Sequence, residues 1–132
     1  GPATTEYHPD PAAMFSQLGH PPQAPAQRKV QQLCRQVEER LGLVFAGEVD
    51  DPALQDLYVV DVHPEPGSGR LVVRLTRAPG SARKQPISAL LPRLDALRPF
   101  LRGEVAAAIH RKRTPDLVFQ VLEQDPHGEV DA

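Results

Sequence analysis

A chain of 132 residues, 40% of them hydrophobic, supplies one domain with a single core and is too short for two. Its one cysteine, Cys34, excludes an internal disulfide and suits a reducing compartment, and no Cys/His cluster has the spacing of a zinc site. The formal charge of -2 hides an asymmetry: all 15 Lys and Arg fall in residues 26–113 against 10 acids, an excess of five positive charges, whereas both ends are acidic.

Residues 1–25 hold Pro2, Pro9, Pro11, Pro21, Pro22 and Pro25 among small and polar residues, without apolar periodicity, and read as a disordered arm. From 26 to 45, Val30, Leu33, Cys34, Val37, Leu41, Val44 and Phe45 recur at the three-and-four spacing of one helix face, and Gly47 suits its stop. Residues 48–54 read as a short corner, with Pro52 behind a capping Asp51.

Residues 57–63 and 70–77 are β-branched, alternating runs joined by Pro64-Glu65-Pro66-Gly67-Ser68-Gly69, which predicts an antiparallel hairpin. In the second run Leu71, Val73 and Leu75 share one face, and Arg70, Val72, Arg74 and Thr76 share another that is expected to meet solvent. A helix follows with Ile87, Leu90, Leu91, Leu94 and Leu97, then a break at Pro99, then a second helix from Phe100 to about His110 with Leu101, Val105, Ala108 and Ile109 inward. The basic run Arg111-Lys112-Arg113 leads into a last strand, 117–122, and residues 124–132 read as a disordered acidic tail. The domain proper is therefore 26–123, an α+β unit in the order helix, strand, strand, helix, helix, strand, with helices on one face of a three-stranded sheet.

Catalytic patterns are not found. Asp50-Asp51 before Pro52 is a cap and turn without a third metal ligand, and Asp61 and His63 form a surface pair with no nucleophile beside them. Cys34 lies on the apolar helix face as a small hydrophobe. The Gly67-Ser68-Gly69 turn lacks the Lys-Ser/Thr and helix of a phosphate loop. No apolar run approaches the roughly 20 residues of a membrane span, and there is no signal pattern, so a cytoplasmic protein with no membrane contact is expected. Phe45, Phe100 and Phe119 read as core, which leaves no aromatic set for stacking single-stranded bases. No enzyme activity and no cofactor are expected.

Four motifs in order carry a family resemblance. They are Gln27-Arg28-Lys29-Val30 at a basic helix start, Gly47-Glu48-Val49-Asp50-Asp51-Pro52-Ala53-Leu54 at an acidic turn, Phe100-Leu101-Arg102-Gly103-Glu104-Val105 at a helix start, and Arg113-Thr114-Pro115-Asp116-Leu117-Val118-Phe119 entering the last strand. Together they resemble the bacterial ribosome-binding factor A family over about residues 27–122. Two positions depart from it: Leu97-Arg98-Pro99 stands where the family has Ala-x-Gly between paired helices, and Ala53 stands where it has Arg. Proline is expected to make the bend in place of glycine.

The resemblance implies a type II KH-like, RNA-binding fold and a non-catalytic role in ribosome biogenesis. In that role a monomer binds the immature small (30S) subunit and its 16S rRNA and assists rRNA processing. Arg98, Arg102, Arg111, Lys112 and Arg113 flank the bend and helix end that such a fold presents to nucleic acid, and guanidinium forks suit phosphate. Arg28 and Lys29 oppose their own helix dipole, so rRNA contact is expected there too. The alternative is a KH-like protein-interaction module whose basic surface has no specific RNA role.

Overall fold

The computed structural model of the chain describes residues 24–81 and 85–123. The expected arm, 1–25, thus lies outside the described residues except for Ala24 and Pro25, and the expected tail, 124–132, lies wholly outside them. Helix α1 spans Pro25–Gly47, with Pro25 at its first position and the Gln27 side chain accepting the Ala24 N–H at 3.0 Å. It buries the predicted stripe of Leu33, Cys34, Val37, Leu41, Val44 and Phe45. Its end is closed by the Glu48 N–H donating to the Val44 carbonyl at 2.7 Å. From Pro25 to Gln32 only Val30 packs against the core, and the rest of the first two turns of α1, Arg28 and Lys29 included, is exposed.

The corner forms as predicted. Asp51 accepts the Ala53 N–H at 3.0 Å and starts a 3-10 turn, Pro52–Leu54. Ala53 is buried there, so the position where the family resemblance suggests an arginine belongs to the core in this chain. Strands β1 (Leu57–Pro64) and β2 (Leu71–Arg77) pair antiparallel, and β3 (Leu117–Leu122) lies parallel to β2, giving the order β1-β2-β3. The turn between β1 and β2 needs the glycines: Gly67 and Gly69 both hold φ +76°, which L side chains rarely adopt.

Leu57 and Val62 of β1, Leu71, Val73 and Leu75 of β2, and Leu117 and Phe119 of β3 face one cluster with both helices. On the opposite side of β2 the expectation of a solvent-facing set is corrected. Thr76 is only 1% exposed and gives its hydroxyl to the Leu122 carbonyl at 2.8 Å, and Val72 is also buried. Arg70 is exposed as expected and Arg74 is partly open, its guanidinium forking onto Asp61 of β1, with the Nε bond at 2.7 Å. Asp61 is the residue directly opposite Arg74 in the strand pairing, so the two opposite charges meet across the strands.

The larger correction concerns the helix pair. A single helix, α2, runs over Ile87–Ala108 with both Pro92 and Pro99 inside it. Leu90, Leu94, Leu101 and Val105 are buried along it, with Leu97 packed against the same cluster, so one stripe continues at helical spacing through Pro99. An interior proline costs a helix about 3 kcal/mol, and burying a leucine or valine side chain contributes about 1.5–3 kcal/mol. Four such side chains on one continuous face outweigh the two prolines. Both prolines are exposed and seven residues apart, and Ser88 and Asp95, whose carbonyls lose their helical donors, are exposed too, so those carbonyls lie on the side of α2 that faces solvent.

Replacing Pro99 with Ala restores the missing donor without touching the core and is expected to stabilise the domain by about 1–3 kcal/mol, read from denaturant unfolding. Leu94→Ala, at a site with no exposure, is expected to cost about 2–5 kcal/mol. Cys34 supplies a second check on the core: burial first, and Glu38 second, push its thiol up. At neutral pH it should react with a thiol reagent only as fast as the fold opens, and rapid labelling of the native protein would contradict that placement.

Candidate nucleic-acid interface

The candidate site is built on the exit from α2. Ile109, buried beyond the last turn, donates its N–H to the Val105 carbonyl at 3.1 Å, and the chain then leaves the helix. It is caught again at Leu117, which is fully buried, beside the Leu71 N–H donating to the Asp116 carbonyl at 2.9 Å. Between those anchors, Arg111, Lys112 and Arg113 are all exposed, and none of the three makes an ion pair with another described residue. The register places this loop at the end of the sheet where Pro64, Leu71 and Leu117 meet, the same end as the β1–β2 turn.

The other expected site residues are placed differently. Arg98 pairs with Asp95 one turn earlier, and its guanidinium carbon lies 5.6 Å from the Phe119 ring centroid, so it packs over β3. Its Nε is buried without a hydrogen-bond partner. Arg102 reaches across the exit loop: Nη2 donates to the Thr114 carbonyl at 2.9 Å, and Nε lies 3.2 Å from an Asp116 carboxylate oxygen. Arg28 and Lys29 are exposed on the projecting turns of α1. The structure therefore brings Arg111, Lys112 and Arg113 together on one loop with Arg102 at its base, and it engages Arg98 in packing against the sheet.

Several pairings were missed by the sequence reading because each joins residues far apart in the chain. Arg40 of α1 donates through Nε to Glu104 of α2 at 3.1 Å, 64 residues away, and also lies 3.6 Å from Glu48. Arg93 binds Asp51 through one nitrogen at 2.8 and 2.9 Å, tying α2 to the corner. Phe100, expected in the core, is 41% exposed, because the unbroken helix rotates it away from the stripe formed by Leu97 and Leu101. Asp61 and His63, 3.7 Å apart, stand on the sheet face with Arg74 as the stronger partner of the aspartate.

Among the described residues no group of three or more His, Cys, Asp or Glu side chains could hold a metal ion, and no helix is long and apolar enough to cross a membrane. A three-stranded mixed sheet with two helices on one face, a parallel last strand and an exposed basic loop leading into it defines an α+β domain of the KH-like class.

No protein-family model matches the chain. Ribosome-binding factor A of Rhodospirillum rubrum is 38% identical over 106 residues, covering 78% of this chain and 60% of that protein. The chain thus spans less than two thirds of the length of this relative. In fold, the chain is similar to the crystal structure of ribosome-binding factor A from Thermus thermophilus, with a TM-score of 0.58 at 22% identity over 70% of this chain and 93% of the other. The chain is a homologue of ribosome-binding factor A, as its four motifs implied.

The turn at the site's end of the sheet has its own electrostatic lock. The Ser68 hydroxyl, at 2.5 Å, and then the Arg70 Nε, at 2.7 Å, hold the Glu65 carboxyl below its ordinary value. A depressed folded value means that this contribution is present above the ordinary carboxylate range and is lost as pH falls through the folded value. The Glu65 carboxyl should titrate below the ordinary glutamate value by NMR, and Ser68→Ala should move its midpoint upward.

Proposed function

We propose that this domain is a non-catalytic ribosome-biogenesis factor that binds the immature small ribosomal subunit through its rRNA and assists rRNA maturation. The observation that carries the reading is the exposed Arg111-Lys112-Arg113 loop, free of intramolecular ion pairs with described residues, on a KH-like domain homologous to ribosome-binding factor A. Three neighbouring cations held clear of the domain's own acids are suited to phosphate, and they recognise backbone more than base sequence. Arg28 and Lys29 on the projecting end of α1 form a second proposed contact, favoured because they give up dipole complementarity to stand there. With Phe45 and Phe119 buried, Phe100 is the one exposed phenylalanine among the described residues, and a single ring is a poor platform for successive bases, which favours the backbone and shape of folded rRNA over splayed single strands.

The reading predicts co-sedimentation with free small subunits and not with full ribosomes. With three to five phosphate contacts, affinity is expected to fall roughly 20- to 500-fold between 50 and 200 mM salt. The combined variant Arg111→Glu, Lys112→Glu and Arg113→Glu should lose at least about tenfold in affinity with its melting temperature unchanged, since all three side chains are exposed. Binding equal to that of the parent by a folded triple variant rules the loop out as the interface.

A further inference from the structure

We infer that Arg102 is a positioning residue for the basic loop rather than a phosphate contact, an assignment that rests on the proposed rRNA reading of that loop. Its guanidinium is committed on two sides, to the Thr114 carbonyl at 2.9 Å and to Asp116 at 3.2 Å. Those two acceptors belong to the segment that carries Arg113 into β3. The link joins the body of α2 to the far side of the loop and closes residues 102–116 into a ring. From the end of α2 to the start of β3 the chain is anchored by buried Ile109 and Leu117, and the three exposed cations lie between them. A loop fixed only at its ends must be ordered when it meets a polyanion, and each long cation immobilised then costs affinity. A loop already held by Arg102 meets the phosphates with much of that ordering done.

The link depends on shape as much as on charge. A guanidinium presents donors in a planar fork that spans a carbonyl and a carboxylate at once, whereas the lysine ammonium is a single point on a flexible stem. Arg102→Lys therefore separates positioning from contact. If Arg102 touched phosphate, lysine would keep most of the affinity, and Arg102→Gln would lower the log–log salt slope by about one. If Arg102 positions the loop, both variants lose affinity alike, about three- to tenfold, and the salt slope stays that of the parent, because the phosphate contacts themselves are unchanged.

The test uses the full chain, with small-subunit rRNA as the probe and salt titrations of the parent, Arg102→Lys and Arg102→Gln. Amide relaxation of residues 111–113 is measured on the same proteins without RNA. The expected result is equal loss in both variants, an unchanged slope, and greater loop mobility in the free variants. Arg102→Lys binding like the parent, a slope lowered in Arg102→Gln, or loop amides as ordered as in the parent each overturns the assignment. Should the parent itself not bind rRNA, the proposed function fails, and the relaxation measurement still decides whether Arg102 orders the loop.

Discussion

The apolar stripe of α2 is the constraint on which the rest of the domain depends. Leu90, Leu94, Leu101 and Val105 lie on one line and are buried together with α1 and the core face of the sheet. That line has to be straight enough to be shared, and it holds the helix together across two residues that would end it in isolation. Because α2 is continuous, its exit falls beside the start of β3, and the exit loop inherits a fixed position at one end of the sheet. The parallel pairing of β3 with β2 follows from the same geometry, since a crossover connection is needed to bring a parallel strand back to its neighbour.

Electrostatics then sorts the arginines into two populations. Arg40, Arg74, Arg93, Arg98 and Arg102 each meet a carboxylate of the domain itself, and these pairs join one element to another or brace a single helix. Surface pairs of this kind contribute little stability one at a time, typically below about 1 kcal/mol. Their effect on recognition is larger, because a cation already facing a carboxylate offers a weaker field to a passing polyanion. Among the described residues, Arg111, Lys112 and Arg113, exposed and in no ion pair with a described residue, are therefore one place where positive character is left for a partner, besides the exposed start of α1.

Much of the fold was legible in the residues. The stripe from Leu33 to Phe45, the alternation of Leu71, Val73 and Leu75, and Asp51 ahead of Pro52 each state a local preference that packing did not override. The helix break was misread because Pro99 was weighed as a local residue, whereas the spacing of Leu90, Leu94, Leu97 and Leu101 already carried the opposite message across it. The exposed loop was legible because three adjacent cations at a helix exit have few ways to be buried. The roles of Arg98 and Arg102 were not, because Phe119, Thr114 and Asp116 become their neighbours only when β3 has docked. The buried state of Thr76 was hidden for the same reason: its partner is the Leu122 carbonyl on another strand.

The sheet order leaves β3 at an edge, and its sequence, Leu117–Leu122, contains no charge. An uncharged, β-prone edge is a template on which a second chain can add a strand, and in crowded solution it is the place where a folded domain begins to associate with copies of itself. Asp116 precedes the strand and Glu123 follows it, both exposed, so a second copy that pairs its own β3 along the full edge brings like charges together at each end. Asp116 thereby serves solubility as well as the link to Arg102, and the short length of β3, six residues, limits how much an intruding strand could gain before it meets either acid.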